Sequence, residues 1–124
     1  MKIIETEKAP AAIGPYSQAI VSGGLVYTSG QIPINPATGA IEAFTIEEQT
    51  RRAIQNLAAV LEAAGSGLEN VVKTTCFITD MGAFSAFNDV YASLFPAKPA
   101  RSCVEVAKLP KGALVEIEAV AELR

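Results

Sequence analysis

Arg101 is the residue of this chain whose position best suits the binding of an anion. It stands in the segment Lys98-Pro99-Ala100-Arg101-Ser102, where Pro99 stiffens the chain and a predicted strand fixes the direction of the side chain. A planar guanidinium can donate two parallel hydrogen bonds to a carboxylate, which the ammonium of a lysine cannot do. Spacing alone slightly favours the alternative that Arg101 forms a buried ion pair with Glu105 or Glu116.

Glu116 and Glu118 lie two residues apart in a predicted strand, so their side chains point to the same face. Two like charges in a half-buried setting raise the pKa of one carboxyl group, which suits a general acid–base near neutral pH. The alternative is that both are ordinary solvated glutamates, and the sequence leaves the two readings open.

Two cysteines and two hydroxyl side chains complete the candidates. Cys103 shares a predicted face with Arg101, whose charge would activate a thiolate. Without a histidine to act as base, however, Cys103 is better explained as a small buried apolar residue. Cys76 lies in a β-branched run and is predicted to belong to the core. Tyr16 and Ser29 lie beside turns, where each either presents its hydroxyl to a ligand or packs.

The absence of histidine excludes His–Asp triads, imidazole bases and histidine-ligated zinc. The two cysteines are 27 positions apart and cannot form a four-thiolate site, and no glycine-rich phosphate loop is present. We therefore expect neither a metal nor a cofactor. The net charge of −3 disfavours nucleic acid as the main partner. Neither a long apolar run nor a signal peptide is recognised, so we expect a cytoplasmic protein without membrane contact.

The length and the apolar half of the composition predict a single domain over residues 1–124. Thr45-Ile46-Glu47-Glu48 is a capping-box pattern, and the apolar periodicity behind it predicts a helix that ends at Gly65. A second helix carries Phe84, Phe87, Tyr91 and Leu94 on one side and is stopped by Pro96. Residues 32–39 are predicted as an ordered loop. Five strands are predicted, at Gln18–Val21, Leu25–Ser29, Val71–Thr79, Ser102–Val106 and Ala113–Glu122.

The element order β-β-α-β-α-β-β predicts an α+β two-layer sandwich, with a sheet covered by two helices on one face. Alternation along the last two strands places the apolar sets towards the helices. The opposite face then collects Arg101, Cys103 and Glu105 from one strand and Glu116 and Glu118 from the other. That face is either solvated or buried against another subunit, and the low charged fraction favours an oligomer.

Several segments together resemble the RidA family, also called YjgF, over essentially the whole chain. No single segment is specific, but their order and separations are. They are Ala12-Ile13-Gly14-Pro15-Tyr16-Ser17-Gln18-Ala19, Thr28-Ser29-Gly30-Gln31-Ile32-Pro33, Pro99-Ala100-Arg101-Ser102-Cys103-Val104-Glu105-Val106, Leu109-Pro110-Lys111 and Val115-Glu116-Ile117-Glu118-Ala119.

The resemblance implies a chorismate-mutase-like α+β fold with a mostly antiparallel mixed sheet, assembled as a homotrimer with sites between subunits. It implies hydrolysis of reactive 2-imino and 2-enamino acids, released by PLP-dependent enzymes, to 2-oxo acids and ammonia, without a cofactor of its own. Arg101 would bind the substrate carboxylate and Glu116 would activate the water. The cleft would be lined by Tyr16, Ser29, Gly30, Asn88 and Cys103.

Two other functions stay open. One is an endoribonuclease or translation inhibitor, an activity also attributed to the family, which the acidic and aromatic-poor composition disfavours. The other is a trimer that binds metabolites in the same clefts without turnover, in which Glu116 would have no evident task.

Overall fold

The first helix, α1, spans Ile46–Ala63 in the computed structural model, which describes residues 1–124. Thr45 has extended backbone angles, and its hydroxyl accepts a 3.1 Å hydrogen bond from the backbone N–H of Glu48. The Glu48 carboxylate accepts from the Thr45 hydroxyl at 3.0 Å, not from the backbone donor that a reciprocal box predicts. Gly65 has a φ of +87° and ends the helix, as the sequence predicts.

The second helix, α2, spans Phe84–Leu94 and follows a short 3₁₀ turn at Met81–Ala83. Asp80 caps that turn, because its carboxylate accepts a 2.8 Å hydrogen bond from the N–H of Gly82. Both helices confirm the elements predicted from their apolar spacing.

The strands are β1 (Lys2–Ile4), β2 (Ala19–Ser22), β3 (Leu25–Thr28), β4 (Ile34–Asn35), β5 (Ala40–Ile41), β6 (Val71–Ile78), β7 (Ala100–Glu105) and β8 (Val115–Glu122). The six-stranded sheet has the order β1-β2-β3-β8-β6-β7, and a separate hairpin joins β4 to β5. Only β6 and β7 pair in parallel, and all other neighbours are antiparallel. The sheet is therefore mixed but mostly antiparallel.

Three strands are not predicted by the sequence: β1, β4 and β5. They have two or three residues each, too few to show an alternating pattern. The segment 32–39, predicted as a loop, therefore contains β4. Strand β7 begins two residues earlier than predicted and so includes Arg101.

Both helices pack on one face of the sheet, which confirms the α+β two-layer arrangement. The core between these layers contains fully buried side chains from both helices and the central strands. Among them are Val26, Ile54, Leu57, Leu61, Ile78, Phe87 and Ile117. Neither helix is long and apolar enough to cross a membrane.

The predicted face of Arg101, Cys103 and Glu105 is wrong, and Glu105 is level in register with the buried Ile78. In the register of β6 with β7, Cys103 is level with the buried Cys76, so both point towards the helices. Arg101 lies on that side too, against α2. The prediction fails because β7 is an edge strand whose two faces both carry a mixture of polar and apolar residues. An arginine on such a strand can bury its aliphatic stem against a helix.

The other face of the sheet, here called the outer face, is covered by no helix. Register places Ile3, Ile20, Tyr27 and Val120 side by side across β1, β2, β3 and β8. Ile3 is 61% and Tyr27 46% exposed, and Val104 on β7 is 42% exposed. Large apolar side chains at neighbouring positions form a patch of the kind that marks an interaction surface.

We expect Thr45→Ala to lower the free energy of unfolding by about 1 kcal/mol, because the N–H of Glu48 loses its acceptor at the start of α1. Thr45→Ser retains the hydroxyl and should stay near the wild-type value. Urea unfolding at one fixed protein concentration measures both. Equal stability of the alanine and serine variants would contradict this role of the cap.

Candidate active site

Arg101 is held against one face of α2 by three residues spaced at four and three positions along that helix. Its Nη1 donates a 2.6 Å hydrogen bond to Oδ1 of Asn88. The guanidinium carbon lies 4.8 Å from the ring centre of Tyr91 and 5.5 Å from that of Phe84, both within cation–π range. This spacing brings the three side chains to one stripe of the helix.

The chain has one ion pair, between Arg124 and Glu69, and no carboxylate lies within 4.0 Å of the Arg101 guanidinium. The alternative of a buried pair with Glu105 or Glu116 is therefore wrong. Apart from the bond to Asn88, the guanidinium donates to no protein atom. It therefore has free N–H groups for an anionic ligand.

The aromatic support of Arg101 is itself anchored in the sheet. The Tyr91 hydroxyl lies 2.7 Å from Oγ1 of Thr74, and both groups are buried. Burial raises the pKa of Tyr91, so its hydroxyl stays protonated at neutral pH. The Tyr91 ring also packs between those of Phe87 and Phe95, tilted by 40° and 30° from them. The sequence predicts Tyr91 only as a core residue, and Thr74 only as part of a strand.

A cavity of about 380 Å³, here called the Arg101 cavity, opens beside this arginine. Its walls come from α2 and from the loop that leads into β7. They include Asn88, Tyr91, Phe95, Lys98, Pro99 and Arg101.

Cys103 lies two residues beyond Arg101 on the same face and is half-buried against the core. Burial raises the pKa of the Cys103 thiol, and the charge of Arg101 opposes that effect only in part. Cys76 is fully buried, and burial raises its pKa to about 12. Both thiols are therefore protonated at neutral pH, which is unsuited to a nucleophile.

A second cavity, of about 270 Å³ and here called the Glu116 cavity, is bounded by β8 and the segments after Ala9 and Thr28. Its polar residues include Tyr16, Gln31, Lys111 and Glu116. Its apolar walls are formed by Pro10, Ala11, Ile13, Ile32, Ile34 and Pro110.

Glu116 is half-buried, and its carboxylate makes no hydrogen bond to a protein donor. Burial, and secondly the charge of Glu118, raise the pKa of Glu116 above its ordinary value. A carboxylate with raised pKa and free lone pairs is a stronger base than an ordinary glutamate. This geometry suits the activation of a water molecule.

Gly30 makes room for that carboxylate. A Cβ at position 30 would lie 2.7 Å from Cδ and 2.9 Å from Cγ of Glu116, closer than unbonded carbon atoms can approach. The Glu116 side chain therefore rests directly on the backbone of Gly30. The sequence alone contains no signal for this contact.

The predicted site residues fall into two groups that the single chain does not bring together. Asn88 and Arg101 line one cavity, with Cys103 beside them, whereas Tyr16, Gly30 and Glu116 line the other. Ser29 lines neither cavity, and its hydroxyl donates a 2.6 Å hydrogen bond to the carbonyl of Ser17. That bond ties the Tyr16 segment to the end of β3. No cluster of three or more potential metal ligands occurs.

The family model, the related sequences and the related crystal structures all match this chain over nearly its whole length. The family model for endoribonuclease L-PSP matches residues 6–123. A 2-iminobutanoate/2-iminopropanoate deaminase of Salmonella typhimurium is 49% identical, over 99% of this chain and 98% of its own. A Thermotoga maritima crystal structure is 51% identical with a TM-score of 0.96, covering 100% of this chain and 98% of that one. The E. coli TdcF crystal structure with bound serine is 46% identical with a TM-score of 0.95, covering 100% of both chains.

Glu118→Gln should lower the pKa of Glu116, because it removes the neighbouring negative charge that opposes ionisation. The pKa should stay above its ordinary value, since burial is the larger cause. Carbon-13 NMR of the Glu116 carboxyl group across a pH titration measures the shift. A pKa that does not change in this variant would show that Glu118 has no influence.

Proposed function

The chain belongs to the endoribonuclease L-PSP family, also known as the YjgF or RidA family, and we propose that it hydrolyses reactive 2-imino and 2-enamino acids. The products are 2-oxo acids and ammonia, and 2-iminobutanoate and 2-iminopropanoate are the expected substrates. One observation carries the proposal: the chain combines an arginine that has free N–H groups with a half-buried carboxylate of raised pKa. The relative from Salmonella typhimurium bears the name of this activity.

In the proposed reaction Arg101 binds the substrate carboxylate through its free N–H groups and so fixes the imine carbon in one place. Water adds to the carbon of the protonated imine while Glu116 takes one proton from the water, which gives a carbinolamine. Glu116 then returns that proton to the amine nitrogen, ammonia leaves, and the hydroxyl group loses its proton to Glu116 as the carbonyl of the 2-oxo acid forms. Because an imine carbon is already electrophilic, orientation and one base are sufficient for this step.

We further propose that each site is shared between two subunits of a homotrimer. Arg101 points to the helix side of the sheet, whereas Glu116 lies on the outer face, with β6 between their two strands. A substrate of a few carbon atoms cannot contact both sides of one sheet. If subunits pack head to tail in a ring, the Arg101 cavity of one meets the Glu116 cavity of the next. The exposed apolar outer face supports this chorismate-mutase-like assembly.

The related TdcF structure holds serine, a small molecule with a carboxylate beside a nitrogen-bearing carbon. A 2-imino acid has the same carboxylate and the same position of nitrogen. This similarity supports a small imino acid as the substrate of the present chain. No cofactor takes part in the proposed reaction, and we place the protein in the cytoplasm as a prediction.

RNA is the rival substrate, because the family description names an endoribonuclease. A net charge of −3 is unfavourable for phosphate binding. Non-catalytic metabolite binding is the other rival. It leaves unexplained why a carboxylate that accepts no hydrogen bond is held half-buried over a glycine.

Arg101→Ala should reduce imine hydrolysis at least about thirtyfold, and Arg101→Lys nearly as much, because lysine keeps the charge but loses the planar fork. A coupled assay with threonine dehydratase, which follows the disappearance of the imine, measures the rates. Arg51→Ala, at an exposed position on α1, is the matched control and should retain full activity. Thermal melts must show folded protein. An active Arg101→Ala enzyme would refute the assignment, and a wild-type chain that binds 2-oxo acids without turnover would indicate a metabolite-binding protein.

Mixed oligomers test whether the site is shared. Arg101→Ala and Glu116→Gln chains should each be inactive alone. If closed rings of three assemble at random from an equal mixture, about a quarter of wild-type activity should return, since each mixed ring has one intact site. Sedimentation gives the mass in units of the 13.0 kDa chain. A mass of one chain, or inactive mixed trimers, would contradict the shared site.

A further inference from the structure

Two buried amide side chains lie on the sheet-facing side of α1 and have no part in the proposed reaction. Gln49 and Asn56 are seven residues apart, two turns of helix, and are 5% and 1% exposed. Apart from Thr50, their buried neighbours on this helix are apolar, among them Ala53, Leu57 and Val60. A polar side chain in such a place needs hydrogen-bond partners, and those partners show what it does.

Asn56 binds the chain segment that forms one wall of the Glu116 cavity. Its Nδ2 donates to the carbonyl of Ile32 at 3.0 Å and to that of Ile34 at 2.8 Å. Both residues line the cavity. Oδ1 of Asn56 is buried and accepts from no protein donor, so the Asn56 side chain acts only as a hydrogen-bond donor.

Gln49 binds the start of the opposite wall. Its Oε1 accepts a 2.8 Å hydrogen bond from the N–H of Leu114, two residues before Glu116. Its Nε2 donates at 3.0 Å to the carbonyl of Ala43, just before α1. The Gln49 side chain therefore fixes the backbone just before β8 to α1.

The two walls meet at Gly30 and Glu116. Gln31 exchanges two backbone hydrogen bonds with Ile117, of 2.8 and 3.1 Å, so the Gly30 backbone and the Glu116 side chain are in register. Since the Glu116 carboxylate rests on Gly30 without space for a methyl group, a small displacement of either wall moves the carboxylate.

We propose that Gln49 and Asn56 are positioning residues for Glu116, acting through the backbone of residues 30–34 and Leu114 from the far side of the sheet. The inference rests on the proposed function, in which Glu116 activates water. It assigns to α1 a role in turnover although the helix contributes no residue to the cavity. The Arg101 cavity lies on α2 and β7, where neither amide makes a hydrogen bond, so carboxylate binding is independent of this arrangement.

Gln49→Leu and Asn56→Leu test the inference, because leucine fills the space but donates and accepts no hydrogen bond. Gln55→Leu is the matched control, since Gln55 lies exposed on the same helix. We expect kcat for imine hydrolysis to fall about tenfold in each buried variant, because a misplaced base lowers the rate of the chemical step. KM should stay within about twofold of wild type, since Arg101 is untouched. Asn56→Gln, which keeps an amide, should recover part of the rate.

Hydrogen exchange provides a second measurement that needs no turnover. The N–H groups of Gln31 and Ile117 should exchange faster in the two leucine variants than in wild type or Gln55→Leu. If a leucine variant does not fold, Gln49→Met and Asn56→Ala, which also remove these hydrogen bonds, replace it in the same comparisons.

The outcomes separate this inference from the proposed function. A wild-type protein without imine hydrolysis would refute the proposed function and would overturn the positioning of a reactive Glu116 with it. An active wild type with kcat unchanged in folded Gln49 and Asn56 variants would overturn the inference alone. A lower kcat together with a higher KM, while hydrogen exchange at the Gln31 and Ile117 N–H groups is unaltered, would also overturn it. The loss of activity would then not arise from a displacement of the two cavity walls.

Discussion

The alternation of strand β8 is the constraint on which the rest of the structure depends. This strand pairs with β3 on one side and β6 on the other, so neither of its edges is free. Val115, Ile117, Ala119 and Ala121 fill the core beneath the helices. The same alternation must place Glu116 on the outer face. The burial that drives folding thus also fixes the direction of the candidate base.

The chain obtains its acid–base properties from burial, without histidine. Half-burial near Glu118 raises the pKa of Glu116, and burial keeps the Cys103 thiol protonated. Arg101 has no carboxylate partner, and two aromatic rings and one amide support it instead. A positively charged group with free donors and a carboxylate of raised pKa are the two groups that hydrolysis of an anionic imine requires.

In the proposed reaction, their separation on opposite sides of the sheet leaves a single chain without a complete site. Each half is well supported where it lies, by Thr74 and Tyr91 for Arg101 and by Gly30 for Glu116. The outer face remains apolar and uncovered around Tyr27 and Val104. In the proposed trimer, association of the subunits covers this face and also brings the Arg101 cavity of one subunit to the Glu116 cavity of the next. Assembly and activity are therefore coupled.

Sequence patterns predicted those features that depend only on interactions within one helix or strand. The Thr45 cap, the apolar stripe of α1, the Gly65 stop and the side of β8 that carries Glu116 all follow from spacing within one element. The resemblance of the motifs added the family and the candidate residues. Tertiary structure alone decided the side of β7 on which Arg101 lies, because an edge strand of mixed composition has no preferred face until α2 offers its aromatic rings. It also decided the contact of Gly30 with Glu116 and the hydrogen bonds that the side-chain amides of Gln49 and Asn56 make. These contacts join residues far apart in the chain, and no periodicity within a single element encodes them.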